Sequence, residues 1–264
     1  MDFAFPSAGI WRITLKITTI NGTSVAVSET IRVLNPPNIT LLYPNSQNIV
    51  LKENNICEIT YTISSEDSIA KVEAWYSPDG GNTWPQRVGT KEYSRPFPME
   101  VTNHKINWLI IQPPTMEGKI KLKVFTAGGY VFEKKGDYCF QIIPAQPTNL
   151  TATSSYPYNS ISLTWQDNSN YETGYEIWRK DINRDWTKIA TIETPGQGTG
   201  LINYTDNSVS PFNDYFYKVR AISGSITSGF SNTCWVTTSP CIVKNPYIFP
   251  STSNWCMAYK RKSI

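Results

Sequence analysis

The feature that most restricts this chain is the spacing of its hydrophobic residues. Apolar side chains return at every second position in short runs, and polar turns separate the runs. Trp11, Ile13, Leu15 and Ile17 alternate with Arg12, Thr14, Lys16 and Thr18; Ile120, Leu122 and Val124 alternate with Lys119, Lys121 and Lys123. Successive side chains of an extended strand point to opposite faces, so a period of two marks a strand with one buried face. No window keeps a helical period for longer than about two turns. The chain is therefore expected to be all-β.

Composition agrees. Charged residues make up only 17% of the chain and aromatics 13%, a balance that favours strands. A length of 264 residues suggests about two domains. The net charge of +3 is weak, and lysines and arginines are scattered among acids. No basic stripe points to nucleic acid, and Lys260-Arg261-Lys262 reads as a solvated end. Arg12 and Lys16 interrupt the first twenty residues, which therefore do not read as a signal peptide. No run approaches the roughly 20 apolar residues of a membrane span, so no membrane insertion is expected of this chain.

The chain has five cysteines and one histidine, His104. An odd cysteine count without a Cys-x-x-Cys pair suggests neither a disulfide framework nor a metal site, and no cofactor is implied. Cys57 and Cys139 read as small buried hydrophobes, with a bridge between them as the alternative. His104 reads as a surface residue in a polar turn.

Four segments follow. Residues 1–35 hold two or three strands around Asn21-Gly22, a strong hairpin signal. Phe5-Pro6-Ser7-Ala8-Gly9-Ile10-Trp11 running into Ile13-Thr14-Leu15 resembles the last strands of a PKD domain. That resemblance implies an internal start or a truncated gene, because two or three strands cannot bury both faces; the competing reading packs them on the next domain.

After the linker Asn35-Pro36-Pro37-Asn38, residues 36–143 read as a sandwich of about seven strands. Separate strands are expected at Cys57–Ile63 and Val72–Tyr76. The segment resembles bacterial immunoglobulin-like surface modules in Ile39-Thr40-Leu41-Leu42-Tyr43-Pro44-Asn45, in Tyr76-Ser77-Pro78-Asp79-Gly80-Gly81-Asn82-Thr83-Trp84, and in Lys119-Ile120-Lys121-Leu122-Lys123-Val124.

After Pro144-Ala145-Gln146-Pro147, residues 144–238 carry Asn149-Leu150-Thr151-Ala152, Ile161-Ser162-Leu163-Thr164-Trp165, Gly174-Tyr175-Glu176-Ile177-Trp178-Arg179 and Tyr215-Phe216-Tyr217-Lys218-Val219-Arg220-Ala221. In this order they resemble a fibronectin type III domain. The resemblance makes Trp165 and Tyr175 core residues and Tyr215 a tyrosine corner whose hydroxyl bonds backbone upstream. Gly174 is expected to support the turn before its strand. Residues 239–264 have no clear period and read as an irregular tail.

Ser77-Pro78-Asp79-Gly80-Gly81-Asn82-Thr83-Trp84 also fits Ser-x-Asp-x-Gly-x-Thr-Trp, the Asp-box of sialidase-type propellers. A sialidase needs several boxes, an arginine cluster and a tyrosine nucleophile; here one box stands alone. The turn reading is preferred. Gly80-Gly81 supplies positive φ, Asp79 bonds backbone N–H groups, and Ser77, Gly81, Thr83 and Trp84 complete the turn, with Thr83 and Trp84 opening the next strand. Asp167-Asn168-Ser169-Asn170 reads as a polar loop with too few carboxylates for calcium. Trp75 and Trp178 alternate out of phase with their strands' core residues, Trp186 follows at a turn, and the three are the candidates for stacking on a ligand, against packing on neighbouring loops or adjacent domains.

The expected fold is thus a tandem of immunoglobulin-like and fibronectin III β-sandwiches, with no catalytic residue. The module resemblances imply a non-catalytic spacer, adhesion or binding segment of a larger bacterial extracellular or cell-surface protein. Its expected partners are other domains of a longer chain, a polysaccharide or a surface protein. A carbohydrate-binding accessory region of a secreted hydrolase is the alternative, and a truncated sialidase-like enzyme the remote one.

Overall fold

The computed structural model describes residues 7–93, 98–155, 159–193 and 198–238; the tail at 239–264 lies outside them. Strands alone make up the regular structure among the described residues. In chain order they are β1 (Gly9–Thr18), β2 (Ser24–Val33), β3 (Asn38–Tyr43), β4 (Val50–Lys52), β5 (Ile56–Ser77), β6 (Gln86–Glu92), β7 (Pro98–Leu109), β8 (Thr115–Thr126) and β9 (Val131–Lys135). Then follow β10 (Phe140–Ile143), β11 (Thr148–Ser155), β12 (Ser160–Gln166), β13 (Gly174–Asp181), β14 (Thr187–Glu193), β15 (Leu201–Asp206), β16 (Asp214–Ser223), β17 (Ile226–Thr227) and β18 (Cys234–Thr237). They fall into two compact units. Of the described residues, one comprises those up to Leu51, Asn55–Ile110 and Thr115–Ile142, and the other comprises Lys52–Asn54, Ile111–Pro114 and those from Ile143 to Thr238.

Within the first unit, β1 and β2 form an antiparallel ribbon of their own. Gly22, at φ 79°, closes the turn by donating its N–H to the Thr19 carbonyl at 2.9 Å. Leu15 lies opposite Val27 and Ile17 opposite Val25, and all four are exposed. The alternation marks one face as apolar, but a lone ribbon has nothing to bury that face against.

The rest of the first unit is a sandwich built around β5. That strand is a single 22-residue element where the sequence reading expects two. Ser64-Ser65-Glu66-Asp67-Ser68 has a turn's composition, yet the strand continues through it. The first half of β5 pairs with β3 and β7, and the second half pairs with β6 and β8. The register shifts at Ser65 and Ser68, as bulges let a strand bend out of one sheet and into another. Local bonds hold the bend: Asp67 N–H donates to Ser65 Oγ at 3.2 Å, and Ser68 N–H to Asp67 Oδ1 at 2.7 Å. β8 continues the sheet to β9, β10 and β4.

Ile59, Tyr61 and Ile63 from the first half of β5 join Val72, Ala74 and Tyr76 from the second, and Ile120, Leu122 and Val124 from β8, in one buried core. Trp108 sits among them, 5.3 Å from Tyr76 and 6.0 Å from Phe140 between ring centroids. Two expectations need correction. Cys57 is buried and free, its thiol pushed up to about 12 by burial and by Glu58, but Cys139 is exposed and free, so the cysteines are neither bridged nor both core residues. His104 is not in a turn; it lies in β7, half-buried, stacked on Tyr61 at 5.5 Å with Nδ1 3.1 Å from the Tyr93 hydroxyl.

The second unit has a three-stranded sheet, β11-β12-β15, and a larger sheet, β14-β13-β16-β17, with β18 also on β16. Leu150, Ile161, Leu163 and Trp165 from the one face Tyr175, Ile177, Tyr217, Val219 and Ala221 from the other in a single core. Trp165 and Tyr175 meet edge-on with centroids 5.3 Å apart, a preferred aromatic geometry. The Tyr215 hydroxyl accepts the Ser210 N–H at 2.9 Å. The chain is thus all-β, with tandem sandwiches of fibronectin III and immunoglobulin-like type.

Two details secure the second sandwich. Asp206, at the end of β15, is 1% exposed. Its Oδ2 accepts from Arg179 Nη1 at 2.7 Å and from the Tyr217 hydroxyl at 2.9 Å, and its Oδ1 from the Ser208 N–H and hydroxyl at 2.9 and 2.7 Å. Burial pushes this carboxyl up, but the Ser208, Arg179 and Tyr217 donors outweigh it and hold the pKa below its ordinary value. Gly174 opens β13, and a Cβ built on it would collide with the Ile192 carbonyl of β14. Gly174→Ala is therefore expected to prise β14 from β13. A melting temperature lowered by several degrees, with amide protection lost first across Thr187–Glu193, is the outcome to look for by calorimetry and hydrogen exchange.

Candidate functional site

The Asp-box-like segment is a closed turn. Gly80 and Gly81 have φ of 72° and 98°, conformations open to glycine. Ser77 is buried; its hydroxyl donates to Asp79 Oδ1 at 2.6 Å and its oxygen accepts the Gly81 N–H at 2.8 Å. Asp79 also accepts from the Thr83 N–H at 2.9 Å and from the Thr83 hydroxyl at 2.6 Å. These donors, Ser77 first and Thr83 next, hold the Asp79 carboxyl well below the usual carboxylate range, so at neutral pH it is an anion engaged by its own loop. Trp84 lies near Gly81, where an added Cβ would come to 3.4 Å of the ring. The next strand starts at Gln86, so Thr83 and Trp84 belong to the turn and do not open that strand.

The second candidate is the outer face of each unit's larger sheet, where the three selected tryptophans lie. They are half-buried rather than open. In the first unit, Trp75 Nε1 donates to Glu73 Oε2 at 3.1 Å, and Lys123 Nζ sits 5.0 Å from the Trp75 ring centre. Glu73 pairs with Lys71 at 2.8 Å and Arg87 at 3.1 Å. Burial pushes its carboxyl up, but Lys71, Trp75 and Arg87 outweigh burial and leave its pKa lowered.

The second unit repeats the arrangement. Trp178 Nε1 donates to Glu176 Oε2 at 3.1 Å, and Glu176 pairs with Arg220 at 2.7 Å and Lys188 at 3.0 Å. In both units a strand carries Glu, one inward residue and Trp, and the carboxylate two positions back caps the indole N–H. Alternation explains the pairing, since residues two apart share a face.

The second unit extends this into a lattice. Register sets Trp178 opposite Lys218 and Lys180 opposite Phe216 across β13 and β16, and Phe216 opposite Trp235 across β16 and β18. Lys218 Nζ lies 4.0 Å from the centre of the Phe230 ring and 4.3 Å from that of Trp186; Lys180 Nζ lies 5.2 Å from Phe216 and 5.4 Å from Trp186. Lys218 also lies 6.0 Å from the Trp178 ring centre, so Lys180 rests by two aromatic rings and Lys218 by three, within the range of cation–π attraction.

The three selected tryptophans are therefore covered by lysines, and an open ring is one the sequence reading missed. Trp235, in β18, is 58% exposed beside Phe216. The available signal was the alternation in Cys234-Trp235-Val236-Thr237, where Val236 is buried.

The loop at Asp167 is not solvated. Asp167 and Ser169 are buried, and the Ser169 N–H donates to Asp167 Oδ1 at 2.9 Å. The Ser169 hydroxyl donates to Glu53 Oε2, also in the second unit, at 2.6 Å. Burial above all, with the Glu53 charge, raises the Asp167 pKa. Among the described residues no group of His, Cys, Asp and Glu is disposed to hold a metal.

No protein-family model matches the chain. No curated protein matches it. Among solved structures it is similar to an Fn3-like protein from Clostridium thermocellum, at 28% identity and TM-score 0.30, over 37% of this chain and 95% of that one. It is also similar to a group of titin domains, at 14% identity and TM-score 0.31, over 88% of this chain and 75% of the other. A third likeness is to the FN1-FN3 domains of chicken CNTN1, at 17% identity and TM-score 0.34, over 87% and 78%. The sandwich assignment rests on the strand order, register and cores described above.

Proposed function

We propose that this chain is a non-catalytic spacer, adhesion or binding segment of a larger bacterial extracellular or cell-surface protein. The observation that carries the reading is the state of Asp79, in the one motif with an enzymatic counterpart: both carboxylate oxygens are bonded inside its own turn by Ser77 and Thr83. A general acid needs a raised pKa, and the Asp79 pKa is lowered. Trp165, Tyr175 and Tyr215 are likewise taken up in packing. Folds of this kind carry function in grafted sites, and sheet faces are where such a site would sit here.

The test is paired. Asp79→Ala should loosen the loop, seen as faster amide exchange at Gly81 and Thr83, with both cores intact. The unaltered chain should show no turnover of a fluorogenic sialoside. Turnover that Asp79→Ala abolishes would sink the reading. The accessory-region alternative, in which exposed tryptophans stack on sugars, loses support at Trp75, Trp178 and Trp186, because lysines already cover those rings.

A further inference from the structure

The lattice on the second unit's outer sheet face has a charge arrangement that packing does not require. Glu176 is flanked by Lys188 and Arg220 and is satisfied by them. Asp214 and Glu193 lie at the ends of the face, Asp214 opposite Thr237 and Glu193 opposite Gly174. Lys180 and Lys218 occupy the middle and form no ion pair among the described residues; their recorded neighbours are aromatic rings. A lysine ammonium has three donors, and the rings beside Lys180 and Lys218 offer no oxygen or nitrogen acceptor to them, so hydrogen-bonding capacity remains for an acceptor. Lys218 has its pKa lowered by burial first, and the neighbouring Arg220 and Lys180 charges add to that shift, so positive charge is gathered on this face. Trp235 adds an uncovered ring one strand away.

We propose that this face binds an acidic polysaccharide, with carboxylate or sulfate groups on Lys180 and Lys218 and a sugar ring on Trp235. The inference deepens the binding reading proposed above by naming the ligand class. Single-stranded nucleic acid fits less well, because it gains from successive open rings, and here all but Trp235 of the lattice rings are covered by the protein's own cations. An acidic peptide also fits less well. Peptides added to sheets draw affinity from unpaired backbone at an edge, whereas the backbone of β13 and β16 is already paired on both sides. A polymer with repeated negative charge and ring faces needs only the cations and one platform.

The full chain should be titrated by calorimetry with polygalacturonate, dextran sulfate, neutral dextran, oligothymidylate and polyglutamate in low salt. Binding is expected to polygalacturonate or dextran sulfate, whichever is tighter naming carboxylate or sulfate as the recognised group. It should weaken in higher salt, as a screened interaction does. The double variant Lys180→Gln and Lys218→Gln should weaken binding by about tenfold. Trp235→Ala, whose ring lies mostly outside the core, should weaken it severalfold with the melting temperature unchanged, which keeps the test valid if the double variant is unstable. No binding to either acidic glycan would overturn the proposal. So would binding untouched by both variants, or tighter binding to oligothymidylate or polyglutamate. None of those results bears on the non-catalytic reading, which stands or falls on sialoside turnover.

Discussion

Asp206→Ala is expected to destabilise the second unit by about 3 to 5 kcal/mol, the range for breaking a buried ion pair from one side. Asp206 is 1% exposed and is bonded by Arg179, Tyr217 and Ser208. Its removal strands a partly buried guanidinium and a fully buried tyrosine hydroxyl. Asp206→Asn keeps the shape and should cost less. The pH dependence has a definite sign. The folded pKa is lowered, so the contribution is fully present above the unfolded value of about 3.9 and fades as pH falls through the folded value. The stability gap between the unaltered chain and Asp206→Asn should therefore be constant at neutral pH and narrow below about pH 4. Urea titrations of both proteins across pH measure it; a gap that widened in acid would contradict the network.

Trp165→Ala is expected to cost a similar amount, about 3 to 5 kcal/mol, set against a domain stability of roughly 5 to 15 kcal/mol. Trp165 is fully buried between the two sheets, against Tyr175, so its loss leaves a cavity spanning the core. Trp165→Phe makes a sharper measurement. The indole N–H of Trp165 is buried with no hydrogen-bond partner among the described residues, so phenylalanine removes a buried donor as well as some volume. Leaving such a donor unsatisfied costs about 1 to 3 kcal/mol, which offsets part of the packing loss. Calorimetry should place Trp165→Phe much nearer the unaltered chain than Trp165→Ala. Equal losses would mean that the indole N–H bonds to something the fold does not reveal, such as an internal water.

How far the sequence could be read depended on whether the signal was local. Ile161, Leu163 and Trp165 and their partners Tyr175, Ile177, Tyr217 and Val219 alternate cleanly, and all are buried. Alternation states which face a residue takes, and a core needs little more. It failed at Ser64 to Ser68, where polar composition imitates a turn but the strand survives on backbone pairing to β7. It failed at His104 because a half-buried histidine between Tyr61 and Tyr93 looks locally like any polar strand residue.

The lattice was the least legible part. That Trp178 points outward was readable; that Lys218 lies opposite it was not. Cross-strand neighbours are fixed by register, and nothing local encodes register between β13 and β16. The same limit made Trp75, Trp178 and Trp186 look open. The Asp79 turn was legible where it is local, in the positive φ of Gly80 and Gly81 and the Thr83 N–H bonded to Asp79, but not in the Gly80 N–H that donates to the distant Glu117 carbonyl.

The isolated ribbon of β1 and β2 has a consequence for any solution experiment on this chain. Its uncovered face carries Leu15, Ile17, Val25 and Val27, so any sticking through it is driven by release of water from hydrocarbon. Kosmotropic salts such as sulfate strengthen that force, while ionic strength weakens contacts made by Lys180 and Lys218. The two surfaces thus answer the Hofmeister series in opposite directions, and added sulfate would sort self-association from ligand capture without altering a residue.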